Sequence, residues 1–268
     1  MSFSIDGKTA VVTGAANGVG LAIARHFAEN GANVVFADRD EAKLEKELGE
    51  VDAEDSNVRV FAGDFREKLA IANLISATID DFDRVDILVN ASRQVVPSDP
   101  LSEQDDAVDL LLKQNLFMAL RLSQVFARRM IQQAEEEETD KSAGSIINLS
   151  SIAARRTHPA LLAYSISAAA LDQMTRSLAV ALAKYRIRVN GVAFGSVMSA
   201  SLRDALKEHE EFRDDITRHT PLARIAPASE VAEVVRFLAA DGSGFMTGQI
   251  LTVDGGRTLV DPVEAPAH

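Results

Sequence analysis

Residues Thr13 to Gly20 read Thr-Gly-Ala-Ala-Asn-Gly-Val-Gly. They follow a β-branched run and open an apolar-periodic stretch, so the glycines fall where a strand turns into a helix. Glycine lets the chain turn tightly there and lets backbone approach another molecule closely. The helix start adds unpaired N–H groups and a partial positive charge, which together suit a pyrophosphate. Gly14, Asn17, Gly18, Val19 and Gly20 are therefore candidate phosphate-binding residues. Asp38 lies 18 residues beyond Gly20, at the end of the next β-branched run. A carboxylate there can accept from both hydroxyls of an adenine ribose, and it repels a 2′-phosphate. No basic residue occurs among Ala15, Ala16 and Asn17, and Arg39 reads as a solvated loop charge. The expected ligand is NAD rather than NADP.

The elements that must position these residues alternate regularly. Strands are expected over Thr9–Thr13, Asn33–Ala37, Val58–Ala62, Ile87–Val89, Ser145–Leu149, Arg188–Val192 and Gln249–Val253. Helical periodicity lies between them, as in Leu171, Met174, Leu178 and Leu182. Such alternation predicts a single Rossmann-type, doubly wound α/β domain over residues 1–268. Its parallel sheet of about seven strands has helices on both faces. At 47% hydrophobic, the 268 residues suffice for one large core. An acidic run gives residues 134–143 the character of a solvated loop, and residues 257–268 read as a frayed tail.

Composition removes several kinds of chemistry. The formal charge of −12 makes nucleic acid and anionic membrane poor partners. With no cysteine, thiolate and disulfide chemistry are out, and no metal-ligand spacing is visible. No stretch reaches about 18 uninterrupted apolar residues. Met1 to Lys8 carries Asp6 and no apolar run, so a signal peptide is not expected and the location is expected to be cytoplasmic.

The glycine spacing and later motifs together resemble the short-chain dehydrogenase/reductase family, from about Lys8 to Gly256. Asp64 and Phe65 in Ala-Gly-Asp-Phe look like its adenine contact. Asn90 and Ala91 look like its Asn-Ala-Gly strand end, and Val253-Asp254-Gly255-Gly256 also matches. Asn115 looks like the active-site asparagine within a long helix. Ser151 looks like the catalytic serine, and Tyr164 follows it at the family's spacing of 13 residues. The resemblance implies hydride transfer between nicotinamide and a hydroxyl or carbonyl compound. Tyr164 would exchange the proton, Ser151 would hydrogen-bond the reacting oxygen, and Asn115 would hold a relay water. Gly195, Val197 and Ser199 would complete the nicotinamide site, residues 199–221 would form the substrate lid, and the assembly would be a homodimer or homotetramer.

The departures gather in one half of that site. Ala168 stands where the family has a lysine, four residues after the tyrosine. One helical turn would put that lysine on the tyrosine's face, where its charge favours the phenolate and its ammonium binds the ribose. Ser92 replaces the glycine of Asn-Ala-Gly, Phe194 replaces a proline, and Ser199 replaces a threonine. Arg93 follows the altered Ser92, and Arg155 and Arg156 follow the serine strand; any of them could point into the site in the lysine's place, but they read as surface charges. His158 shares their loop and reads as a bystander. Two functions follow: an oxidoreductase with weakened or rerouted proton chemistry, or a non-catalytic NAD-binding sensor or partner subunit. On the first, a lysine introduced at position 168 is expected to raise activity.

Overall fold

Alternation of side chains along buried strands sets the architecture. In β1 (Thr9–Thr13), Ala10 and Val12 join one apolar layer and Val11 joins the other. The same alternation runs through β2 (Asn33–Asp38), following α1 (Gly18–Glu29). Side chains of a strand point to opposite faces, so a sheet buried on both sides needs apolar residues at every position. The computed structural model describes residues 3–48, 56–138 and 141–261.

Along the chain follow α2 (Glu41–Leu48), β3 (Val58–Ala62), α3 (Lys68–Phe82) and β4 (Ile87–Asn90). Then come α4 (Ala107–Leu111), a π-helical segment (Leu112–Phe117), α5 (Met118–Glu136), β5 (Gly144–Ser151) and α6 (Leu162–Leu182). The remainder is β6 (Ile187–Phe194), α7 (Ala200–Glu208), α8 (Glu211–Arg218), α9 (Ala228–Ala239) and β7 (Ile250–Val253). The seven strands are all parallel, in the order β3-β2-β1-β4-β5-β6-β7. Phe27 of α1 and Val235 of α9 pack on one face, while Leu74 of α3, Phe126 of α5 and Ala179 of α6 pack on the other. The strand order reverses between β1 and β4, and ligands of such sheets bind outside the strand ends at that point.

The expected strands are present, and β5 and β6 run longer than expected. β5 and β6 pair from Gly144↔Ile187 to Ser151↔Phe194. Ser151 and Phe194 thus face each other at the strand ends, because ladder pairing overrides the weak strand preference of serine. Residues 134–143 are not one loop: α5 continues through Glu136, and Glu137 pairs with Arg84 at 2.9 Å. Thr139 and Asp140 lie outside the described residues, as do 262–268 of the expected tail, with His268. Arg257–Leu259 forms a short 3-10 turn rather than a frayed end. Residues 199–221 hold two amphipathic helices, α7 and α8. Asn115 sits in the π-helical segment, where the widened turn departs from the regular helix expected.

Candidate active site

The cleft begins where β1 ends. Gly14 has φ +71°, and a Cβ there would lie 2.7 Å from Ser92 Cα. A Cβ on Gly20 would lie 2.1 Å from the Gly14 carbonyl oxygen. Only glycine lets the three backbone segments close to this distance. Asn17 caps α1 in extended conformation with no side-chain cap, which leaves the first-turn N–H groups for a ligand. Asp38 Oδ2 accepts from Ala16 N (3.1 Å), and Oδ1 accepts from Arg39 N (2.7 Å) and Asp40 N (3.2 Å). These bonds hold its carboxylate on the cleft wall, beside Arg39.

Asp64 and Phe65 line the same cleft. The Asp64 carboxylate is gripped by Arg66, through Nε at 2.9 Å and through Nη2, and that guanidinium holds its carboxyl below the usual range. The cleft continues past Ala91 and Ser92 to Phe194 and Ser199. A glycine cradle that any Cβ would fill, an uncapped helix start and a held carboxylate fit a dinucleotide. Asn90 is not on the cleft wall. Its Nδ2 donates to Asn148 Oδ1 (2.8 Å) and Ser123 Oγ (3.1 Å), tying β4 to β5 and α5 inside the core. Gly195 and Val197 line the neighbouring cavity instead.

Beyond Ala91 the chain is held from both sides. Thr13 Oγ1 accepts from Ala91 N (3.2 Å) and Ser92 N (3.4 Å). Asn115 brackets Gln94: its Oδ1 accepts from Gln94 N (2.8 Å), and its Nδ2 donates to Gln94 O (2.9 Å). Asn115 Nδ2 also donates to Ser167 Oγ (3.1 Å). The residue between these anchors is Arg93. Its Nη1 donates to Tyr164 Oη at 2.6 Å, and its guanidinium lies 4.1 Å from the centroid of the Phe194 ring. Arg93 is therefore not a surface charge: it is half-buried and lines both the cleft and the cavity.

Three residues singled out in the sequence, Ser92, Phe194 and Ala168, lie around this contact. Ser92 precedes the arginine, Phe194 carries its guanidinium, and Ala168 leaves room beside it. Ala168 is buried within the chain, in a void of about 10 Å³ that Arg93 and Tyr164 also line. That is space for one water at most. A cation over an aromatic face gains about 0.5–2 kcal/mol, more as water is excluded. Sequence separation hid this arrangement, although the arginine's place directly after the altered Ser92 was a signal.

Tyr164 is buried in α6, and Ser151 is buried at the end of β5. Both line a cavity of about 300 Å³ that shares Arg93 and Tyr164 with the Ala168 void. Ser151 Oγ accepts from Ala153 N at 3.1 Å, which leaves its O–H free to donate. Arg155 is turned away, donating to Thr252 Oγ1 at 3.2 Å. Ser199 caps α7 by accepting from Leu202 N at 3.2 Å. Among the described residues no group of three potential metal ligands occurs.

A nucleotide cradle at the switch point, with a serine and a tyrosine on its far side, defines a dinucleotide oxidoreductase fold. The family profile described as Enoyl-(Acyl carrier protein) reductase matches residues 14–258, and the chain belongs to the short-chain dehydrogenase/reductase family. An uncharacterized oxidoreductase of Thermotoga maritima is 33% identical, over 96% of this chain and 100% of that protein. The 7alpha-hydroxysteroid dehydrogenase of Escherichia coli is 30% identical, over 94% of each. A crystal structure of a gluconate 5-dehydrogenase from Burkholderia cenocepacia, in complex with NADP and tartrate, superposes with a TM-score of 0.86. It is 29% identical and covers 97% of this chain and 98% of that one. Relatives at nearly equal identity bear the names of unlike substrates, so identity alone selects none.

Proposed function

We propose that this chain is an NAD(H)-dependent oxidoreductase acting on a hydroxyl or carbonyl compound, with its proton chemistry rerouted through Arg93. The observation that carries the reading is the 2.6 Å hydrogen bond from Arg93 to Tyr164 Oη. A bound dinucleotide supplies the hydride acceptor or donor. Tyr164 exchanges a proton with the substrate oxygen, and Ser151 donates a hydrogen bond to that oxygen. Arg93 holds a permanent positive charge beside the phenol, the electrostatic part that a lysine at position 168 would play. Asn115 is a positioning residue here: it pins Gln94, and through it the backbone that aims Arg93.

The choice of NAD rests on Asp38, whose carboxylate is held on the cleft wall where a 2′-phosphate would meet it. A homodimer or homotetramer is proposed because Leu162, Ile166 and Val180 leave apolar side chains exposed along α6. No helix among the described residues is long and apolar enough to cross a membrane, and a cytoplasmic location is proposed. The test is oxidation of bound NADH by a panel of aldehydes, ketones and oxo acids, with Tyr164→Phe as control. Turnover that Tyr164→Phe abolishes supports catalysis. Cofactor binding without turnover by either protein would leave a binding-only role.

A further inference from the structure

The cavity beside Tyr164 has an unusual charge. Its wall includes Arg93, Arg156, Arg257 and His158, and no aspartate or glutamate. The chain as a whole has 40 acidic and 28 basic residues, so an unselected wall of this size would carry more acids than bases. Arg93 is engaged with Tyr164 and Phe194. The other three basic groups have donors to spare. Arg156 is exposed and donates through Nη2 to the Thr258 carbonyl oxygen, which leaves its other N–H groups available. Among the described residues the Arg257 side chain makes no hydrogen bond or ion pair. His158 Nδ1 accepts from Ala160 N at 3.2 Å, so in the neutral ring the proton sits on Nε2, which can donate.

The set is donor-rich and lacks a counter-charge. A ligand that satisfies it must bring acceptor oxygens and negative charge. The guanidinium fork matches a carboxylate in two parallel hydrogen bonds, and such charge-assisted pairs are the stronger kind. A cavity of about 300 Å³ sits at the small end of ligand pockets, so the anion is a small molecule. The net negative charge of the chain would repel such a substrate, and a basic wall offers it opposite charge where it enters.

We infer that the substrate is a small hydroxy acid or its oxo counterpart, with its carboxylate held by Arg156, Arg257 and His158 and its reacting carbon turned toward Ser151 and Tyr164. The inference rests on the oxidoreductase reading for the reaction, but not for the binding. In the oxidative direction NAD, when bound, would supply the hydride acceptor for the carbinol carbon; the hydroxyl proton would pass to Tyr164 Oη as the phenolate and on to solvent, and the product is an oxo acid. The reverse reaction consumes the oxo acid, NADH and one proton.

Matched pairs test the charge alone. NAD-loaded protein is titrated calorimetrically with gluconate against glucitol and with tartrate against threitol, and NADH formation is followed with the same compounds. The acids are expected to bind at least about tenfold more tightly than their neutral partners. Arg257→Ala is expected to lower acid affinity about tenfold, and it breaks no bond among the described residues, so its melting temperature should stay put. Arg156→Lys should lose less than Arg156→Ala, because it keeps the charge without the fork. Acids that bind in this way without turnover sustain the carboxylate site held by Arg156, Arg257 and His158 and sink the oxidoreductase reading on which its role as a substrate site rests. Neutral alcohols that bind and turn over as well as the acids overturn the inference and leave that reading standing. Glycerol 3-phosphate serves as the phosphate arm; binding of that ester with rejection of every carboxylate overturns the assignment to an acid.

Discussion

The two ends of the cleft differ in how their chemistry is assembled. At the adenine end each part is local. Asp38 is held by the N–H groups of Ala16, Arg39 and Asp40, which belong to the glycine loop and its own turn. At the nicotinamide end the parts come from four places. Arg93 follows β4, Tyr164 and Ala168 lie on α6, Phe194 ends β6, and Asn115 reaches in from the π-helical segment. The residues singled out in the sequence as departures from the resembled pattern, Ser92, Ala168 and Phe194, all fall at the second end. A local motif tolerates little change, because each residue answers to the backbone beside it. A cluster drawn from distant segments can exchange a cation on one element for a cation on another, provided that space opens where the first has gone.

The sharpest way to break this comparison is to remove the cation. Arg93→Gln should lower kcat about 10²–10³-fold, in the range for losing one charged donor at a reacting oxygen, with NADH affinity changed less than about threefold. Steady-state kinetics beside a fluorescence titration would check it. An unchanged kcat would return Arg93 to a packing role. The next test follows from the 10 Å³ void beside Ala168. Ala168→Lys was expected from the sequence to raise activity, but Arg93 and Tyr164 line the same narrow space, so a lysine there would compete with Arg93 for the phenol. Alone it should lower kcat or leave it unchanged. In the Arg93→Gln background it should recover about tenfold, and a double-mutant cycle would measure that coupling.

At the other end, Asp38→Ala should act on cofactor choice. NADH is expected to bind at least about tenfold more tightly than NADPH, about 1.4 kcal/mol, and the substitution should bring the two close together. Titration of both reduced cofactors decides it, and tighter NADPH binding to the native chain, through Arg39, would overturn the preference.

A smaller effect concerns stability. Asp172 is buried on α6 and its Oδ1 has no hydrogen-bond partner among the described residues. Burial pushes its carboxyl above the usual range, against the pull of the Ser150 hydroxyl and of Arg155 and Arg176. A folded-state value above the unfolded one means the native state binds more proton between the two. Stability then falls as pH rises through that window and stays lower above it. Asp172→Asn should therefore raise Tm by a few degrees near neutral pH, and the gain should fade on acidification below the ordinary carboxylate range. An equal gain at all pH values would mean that charge is not the cause. The smallest effect is expected at the end of α5. Serine at Glu135 through Glu138 removes the Arg84–Glu137 pair but no cleft residue, so NAD affinity should stay within about twofold.

The parallel sheet and its strand positions were legible in the sequence because burial on both faces demands apolar, β-branched runs. The glycine loop and Asp38 were legible for a related reason: a turn, a helix start and a strand end are properties of consecutive residues. Ser151 and Tyr164 could be picked out only as a pair at a characteristic spacing. That the Asn90 side chain turns into the core was not legible, because a short polar side chain at a strand end can face ligand or core, and the partners that decide, Asn148 and Ser123, come from other elements. The sequence by itself determined the sheet, the cradle and the small side chain at position 168. Only the tertiary structure decided that Arg93 turns inward, because the choice depends on a Phe194 ring at 4.1 Å, a phenol at 2.6 Å and the small side chain of Ala168. A guanidinium leaves water only where charge-assisted hydrogen bonding and an aromatic face together offset its desolvation, and such a place exists only after distant segments have packed.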